Sequence, residues 1–175
     1  VYTHNTGGTI TGTGSINNFV VFVVNANLSL PAGITFNTYS DFIVANGVTM
    51  TLNGNMNWFL DNGLGSGANL LLSSNAVLNF LSSSVKYVNG NITNNGTINW
   101  QDGQIRFSSN PVITNNGNLV ISCDNSTAPE FSGGTIVNNG TISKTSTGTT
   151  IFSGVDNFTN NSSGVIRGIG TINLA

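Results

Sequence analysis

Apolar and polar residues alternate in this chain over runs of three to five positions, and each run ends in a cluster of Asn, Gly and Ser. Residues 97–100 read Thr-Ile-Asn-Trp and residues 104–107 read Gln-Ile-Arg-Phe, both with period two. That period sends alternate side chains to opposite faces of a strand. No segment keeps the i, i+3, i+4, i+7 spacing for two helical turns, and Glu, Lys, Arg and Gln are scarce. The pattern predicts an almost entirely β chain made of many short strands.

The strands recur in phase. ITNNGTI at residues 92–98 returns as ITNNGNL at 113–119 and IVNNGTI at 136–142, with a looser FTNNSSGVI at 158–166. The leading apolar residues Ile92, Ile113, Ile136 and Phe158 are spaced by 21, 23 and 22 positions. Degenerate copies extend upstream as LSSNAVL at 72–78, VNANLSL at 24–30 and a poorer IVANGVT from Ile43, while DNGLGSGA at 61–68 reads as a loop insertion. GTITGTGSI at 8–16 and GVIRGIGTI at 164–172 share GxIxGxGxI and are expected to sit in the same phase.

A repeat of ~22 residues with about three short strands cannot enclose a core alone, so neighbouring repeats must stack. The expected fold is all-β: a single-stranded parallel β-helix, or β-solenoid, of about seven coils, wound right-handed. Residues 1–175 are expected to form one β-helix domain, part of a longer repeat array. An antiparallel sandwich is the competing architecture, but it does not account for a phase shared by Asn, Gly and Ile together.

Within the heptad, Ile92 and Ile98 are expected to point inward while Asn94-Asn95-Gly96 turns a corner, with Gly96 supplying a positive φ. Stacked corners would place Asn94, Asn115, Asn138 and Asn160 in one structural ladder of hydrogen-bonded amides. A repeated glycan or metal contact is the functional alternative for this row. Calcium, however, wants carboxylates at set offsets, and the chain has neither an EF-hand loop nor GGxGxD repeats. Asn95-Gly-Thr97 and Asn139-Gly-Thr141 also match the glycosylation acceptor pattern, as chance alone would produce in so Asn- and Thr-rich a chain.

Composition narrows the function. The basic residues are Lys86, Arg106, Lys144 and Arg167, against Asp41, Asp61, Asp102, Asp124, Glu130 and Asp156. Four scattered cations cannot neutralise a row of phosphates, which argues against nucleic acid and against an anionic membrane surface. The longest apolar run, residues 19–24, is too short to span a bilayer, so no membrane insertion is expected. Cys123 is the single cysteine and reads as a small buried hydrophobe; His4 reads as part of a frayed end.

Candidate chemistry is sparse. Asp102 and Asp124 are 22 residues apart and would stack on one edge, where paired carboxylates could bind a cation or act on sugars. Both also sit in ordinary turn dipeptides. Trp58 and Trp100 are core aromatics or sugar-stacking platforms. Thr9-Ile-Thr11 and Thr49-Met-Thr51 have the Thr-x-Thr form of ice-binding faces but do not recur in coil phase. No serine lies in a GxSxG elbow, and nothing calls for a cofactor or a metal.

The array of NNGTI-type coils resembles the Asn/Gly/Thr-rich parallel β-helix repeats of large bacterial secreted or surface proteins, the adhesin-like class that includes type IX secretion cargo of Bacteroidota. The resemblance covers residues 92–172 well and residues 1–86 loosely. It implies a non-catalytic stalk or display segment, secreted or at the cell surface. The implied partners are surface glycans or other cell-surface proteins, with the secretion machinery engaged during export. The alternative on the same fold is a carbohydrate-binding or carbohydrate-active β-helix of the lyase or hydrolase type, using Asp102 and Asp124.

Overall fold

A computed structural model describes residues 1–60, 63–129 and 133–175. Among these residues every named element is a strand and every strand pairing is parallel, between segments about one repeat apart. The chain is a β-solenoid with three faces. One coil runs through Asn91–Asn94 on the first face, Thr97–Trp100 on the second and Ile105–Phe107 on the third. The second face carries eight strands, which makes about eight turns where about seven were expected.

Registers confirm the downstream phase and correct the upstream one. Ile92, Ile113, Ile136 and Phe158 are paired successively on the first face. There the register sets Leu70, not Leu72, beside Ile92, and Leu72 beside Asn94. Val24 and Ile43 belong to the third face, so VNANLSL and IVANGVT mark a different corner from ITNNGTI. Ile16 lies on the second face and Ile172 on the third, so the two GxIxGxGxI segments are out of phase. Short apolar-Asn-Gly phrases recur at more than one corner, and a match of letters does not distinguish them.

The expected loop at 61–68 is also corrected, although Asp61 and Asn62 lie outside the described residues. Leu64 is fully buried and bridges Val44 of one coil to Val88 of another. This minimal rung joins the two parts of the third face.

The period-two pattern becomes a core of stacked columns. Ile16, Phe36, Met56, Leu78, Ile98, Leu119 and Ile142 form one inward column on the second face. Beside it run Trp58, Phe80, Trp100 and Ile121. Aromatic contacts join faces, Phe36–Phe42 and Phe42–Trp58 with centroids at 6.0 and 5.5 Å, and continue along the second face as Trp58–Phe80 at 5.4 Å. Such pairs add to the apolar burial that parallel coils need, since no single coil shields its own interior. Ile166 and Leu174 continue the inward columns of Ile142 and Phe152 and are 46% and 54% exposed.

His4 does not fray. Its ring is buried on Tyr2–His4, in the inward column that continues through Val24 and Val44.

Candidate functional site

The corner that follows the first face carries the amide ladder. Asn94, Asn115 and Asn138 are fully buried and occupy the inward column that holds Leu30, Leu52 and Leu72 upstream. Each Nδ2 donates to the Oδ1 of the next coil, Asn94 to Asn115, Asn115 to Asn138 and Asn138 to Asn160, at 2.7 Å in every case. Asn94 and Asn115 spend a second N–H on the carbonyls of Asn118 and Thr141, at 2.9 and 3.1 Å. The Gly96 N–H donates to Asn94 Oδ1 at 3.1 Å. A buried amide is tolerated here because the corner satisfies it.

The glycine has a different reason from the one expected. Gly96, Gly117 and Gly140 are not among the positive-φ glycines. A Cβ on Gly117 would lie 2.1 Å from the Gly96 carbonyl oxygen, and one on Gly140 2.2 Å from that of Gly117. Stacked corner backbones come too close for any side chain between them.

Two further ladders run outside. Asn95, Asn116 and Asn139 are joined at 2.9 and 2.8 Å, and Asn161 continues the row. Their amides are thus already engaged, including those of Asn95 and Asn139, two of the residues that match the glycosylation pattern. On the outer side of the second face, Asn17, Asn37, Asn57, Asn79 and Asn99 form a five-rung ladder, each Nδ2 donating to the preceding Oδ1 at 2.7 or 2.8 Å. Sequence reading missed this row. Its signal was Asn recurring two residues after an outward Ser, Thr, Asn or Val, at steps of 20 to 22.

At the next corner Phe19, Tyr39 and Phe59 stack, with centroids 4.8 and 4.6 Å apart and planes within 7° and 15° of parallel. Phe19 is 69% exposed.

The two carboxylates expected to stack, Asp102 and Asp124, bond to different partners. Asp102 Oδ1 accepts from the Gly103 N–H at 2.7 Å and from Asn125 Nδ2 at 3.0 Å, so the neighbour stacked on it is Asn125. Asp124 Oδ1 accepts from Lys144 Nζ at 2.6 Å. Hydrogen bonds from Lys144 and Ser146 hold the Asp124 carboxyl below the ordinary aspartate value, against a smaller opposing effect of desolvation. Lys144 stands in the column of Trp100 and Ile121 and is almost wholly buried. Its ammonium also donates to the Cys123 carbonyl at 2.9 Å and to Ser146 Oγ. A buried cation survives in this way, through one carboxylate and fixed oxygen acceptors.

Trp58 and Trp100 are buried, and their indole N–H groups donate to the Leu60 and Gly103 carbonyls at 2.7 Å. Neither ring offers a face to a sugar. Cys123 is buried too, and desolvation pushes its thiol up from the ordinary value. The Thr49-Met-Thr51 strand pairs with Asn69, Leu70 and Leu71, so Leu71 breaks the threonine row after one rung. Among the described residues no group of three or more His, Cys, Asp or Glu is placed to hold a metal ion.

The fold and its ladders define a class: an amide-laddered, nearly uncharged parallel β-solenoid. No family model, curated protein or solved structure matches the chain.

Proposed function

We propose that this chain is a structural stalk or display segment of a secreted or cell-surface, adhesin-like protein, and that it is non-catalytic. The supporting observation is the set of three amide ladders that tie successive coils together without charge. An array coupled coil to coil is suited to holding a surface at a distance and to repeating it. The different hydrogen-bond partners of Asp102 and Asp124 support the non-catalytic side of the reading. Asp102 is held by Gly103 and Asn125 and Asp124 by Lys144, whereas acid/base work on a glycosidic bond needs two carboxylates facing one substrate. Export by a type IX route belongs to the same proposal and is carried by the compositional resemblance.

The test is detection of the chain on intact cells of its native host, with antibody applied before and after permeabilisation. Signal on unpermeabilised cells or in the medium is expected. Signal that requires permeabilisation would overturn the reading.

A further inference from the structure

The outer side of the second face is a periodic surface that a stalk does not need. Its middle column is the Asn17-to-Asn99 ladder. Each inner rung uses one N–H and one oxygen lone pair within the ladder and keeps one of each. The result is a fixed donor and acceptor at every coil, repeating at the strand spacing of ~4.8 Å. On one flank stand Ser15, Thr35, Asn55, Val77 and Thr97, in register with one another. On the other flank the stacked Phe19, Tyr39 and Phe59 form a wall. Tyr39 is stacked on both of its faces, and Phe19 is 69% exposed. No charged side chain interrupts these three columns through the first five coils.

We propose that this face binds a neutral, extended polysaccharide lying along the solenoid axis. Hydroxyls of successive sugars exchange hydrogen bonds with successive amide rungs, and the sugar C–H surface lies against the aromatic wall. The absence of charge selects a neutral chain, because an anionic glycan would surrender hydration without gaining a counter-charge. The periodicity selects a polymer: one rung is weak, and many identical rungs bound together gain by multivalency. A folded protein partner would instead want a compact apolar centre, which this surface lacks. The inference names a ligand for the display segment and rests on that reading only in supposing that glycans are within reach.

The test is depletion of the purified chain from solution by cellulose, chitin and a neutral β-glucan, with polygalacturonate as the anionic comparison. Ser15 and Asn55 are exposed and flank the ladder without being rungs. Ser15→Arg combined with Asn55→Arg therefore obstructs the face, and Thr93→Arg with Thr114→Arg places the same charge on the first face as a control. The wild type and the control should be retained by at least one neutral polymer, and the obstructed variant should lose about tenfold in affinity. Circular dichroism melts establish that the variants are folded. Should the obstructed variant not fold, Phe19→Ser with Tyr39→Ser gives the same reading. Failure to bind any neutral polymer, preference for polygalacturonate, or equal loss in the control overturns the proposal. Because binding is measured on purified chain, its failure is distinct from an intracellular location, which bears on the stalk alone.

Discussion

Asn115→Ala is the perturbation that tests the buried ladder most directly. Asn115 Oδ1 accepts from Asn94, and its Nδ2 donates to Asn138 Oδ1 and to the Thr141 carbonyl. Truncation removes three bonds, each worth about 1 kcal/mol net, and strips a buried Asn138 oxygen of its donor at about 1–3 kcal/mol more. Asn94 keeps the Asn118 carbonyl, which limits the damage on that side. The expected loss is about 4–6 kcal/mol, a large share of the ~5–15 kcal/mol that holds a domain folded. Asn160→Ala is the internal comparison: it removes two bonds at an exposed rung, one from Asn138 and one to the Gly164 carbonyl, where water can replace the lost partners, and should cost below about 1 kcal/mol. Urea unfolding followed by circular dichroism reads both. Since coils couple only to neighbours, an unchanged m-value must accompany the shift in midpoint for the difference to count as stability. Joint replacement of Asn94, Asn115 and Asn138 by Leu, the residue that fills this column upstream, should cost less than the sum of the single changes, because fewer polar groups are left unpaired. If Asn115→Ala costs no more than Asn160→Ala, the ladder does not hold the coils together.

Gly117→Ala should destabilise by about 1–3 kcal/mol by forcing stacked corners apart, read as a lower urea midpoint. Because the Asp124 carboxyl is depressed in the folded state, its contribution is complete above the ordinary value of 3.8 and is lost as pH falls below it. Lys144→Met should flatten that acid limb in pH-dependent melts while leaving stability at pH 7 equal or higher, since an apolar side chain suits the column it occupies. Trp58 and Trp100 fluorescence should resist acrylamide quenching until the chain is unfolded. Cys123 should react slowly with a disulfide reagent at pH 8 and rapidly in denaturant, because burial hinders both ionisation and approach. Rapid reaction in the folded chain would contradict its placement.

The downstream half of the solenoid was legible because three levels of pattern agree there. Ile92, Asn94 and Gly96 repeat together, so inward apolar residue, ladder and close-packed corner share one phase. Upstream that agreement breaks: Leu30, Leu52 and Leu72 stand where Asn stands later, and the phrases that look like corners belong to another corner. Gly96 was placed correctly and explained wrongly, since sequence suggests a local φ requirement while the constraint is a carbonyl one coil away. For Trp58, period two gives an inward position, but only the stacked coils show that Phe42 and Phe80 close over it.

By itself the sequence determined the β class, the repeat of about 22 residues and the column of Asn94, Asn115, Asn138 and Asn160. Those follow from period-two alternation and from residue types that recur at a fixed interval, which are properties of the chain alone. Tertiary structure decided the rest: that Leu64 is a rung, that Asp102 meets Asn125 while Asp124 meets Lys144, and that Asn17 to Asn99 line one outer face. Each of these depends on the register between coils, and a shift of one residue would send every side chain to the opposite side of its sheet.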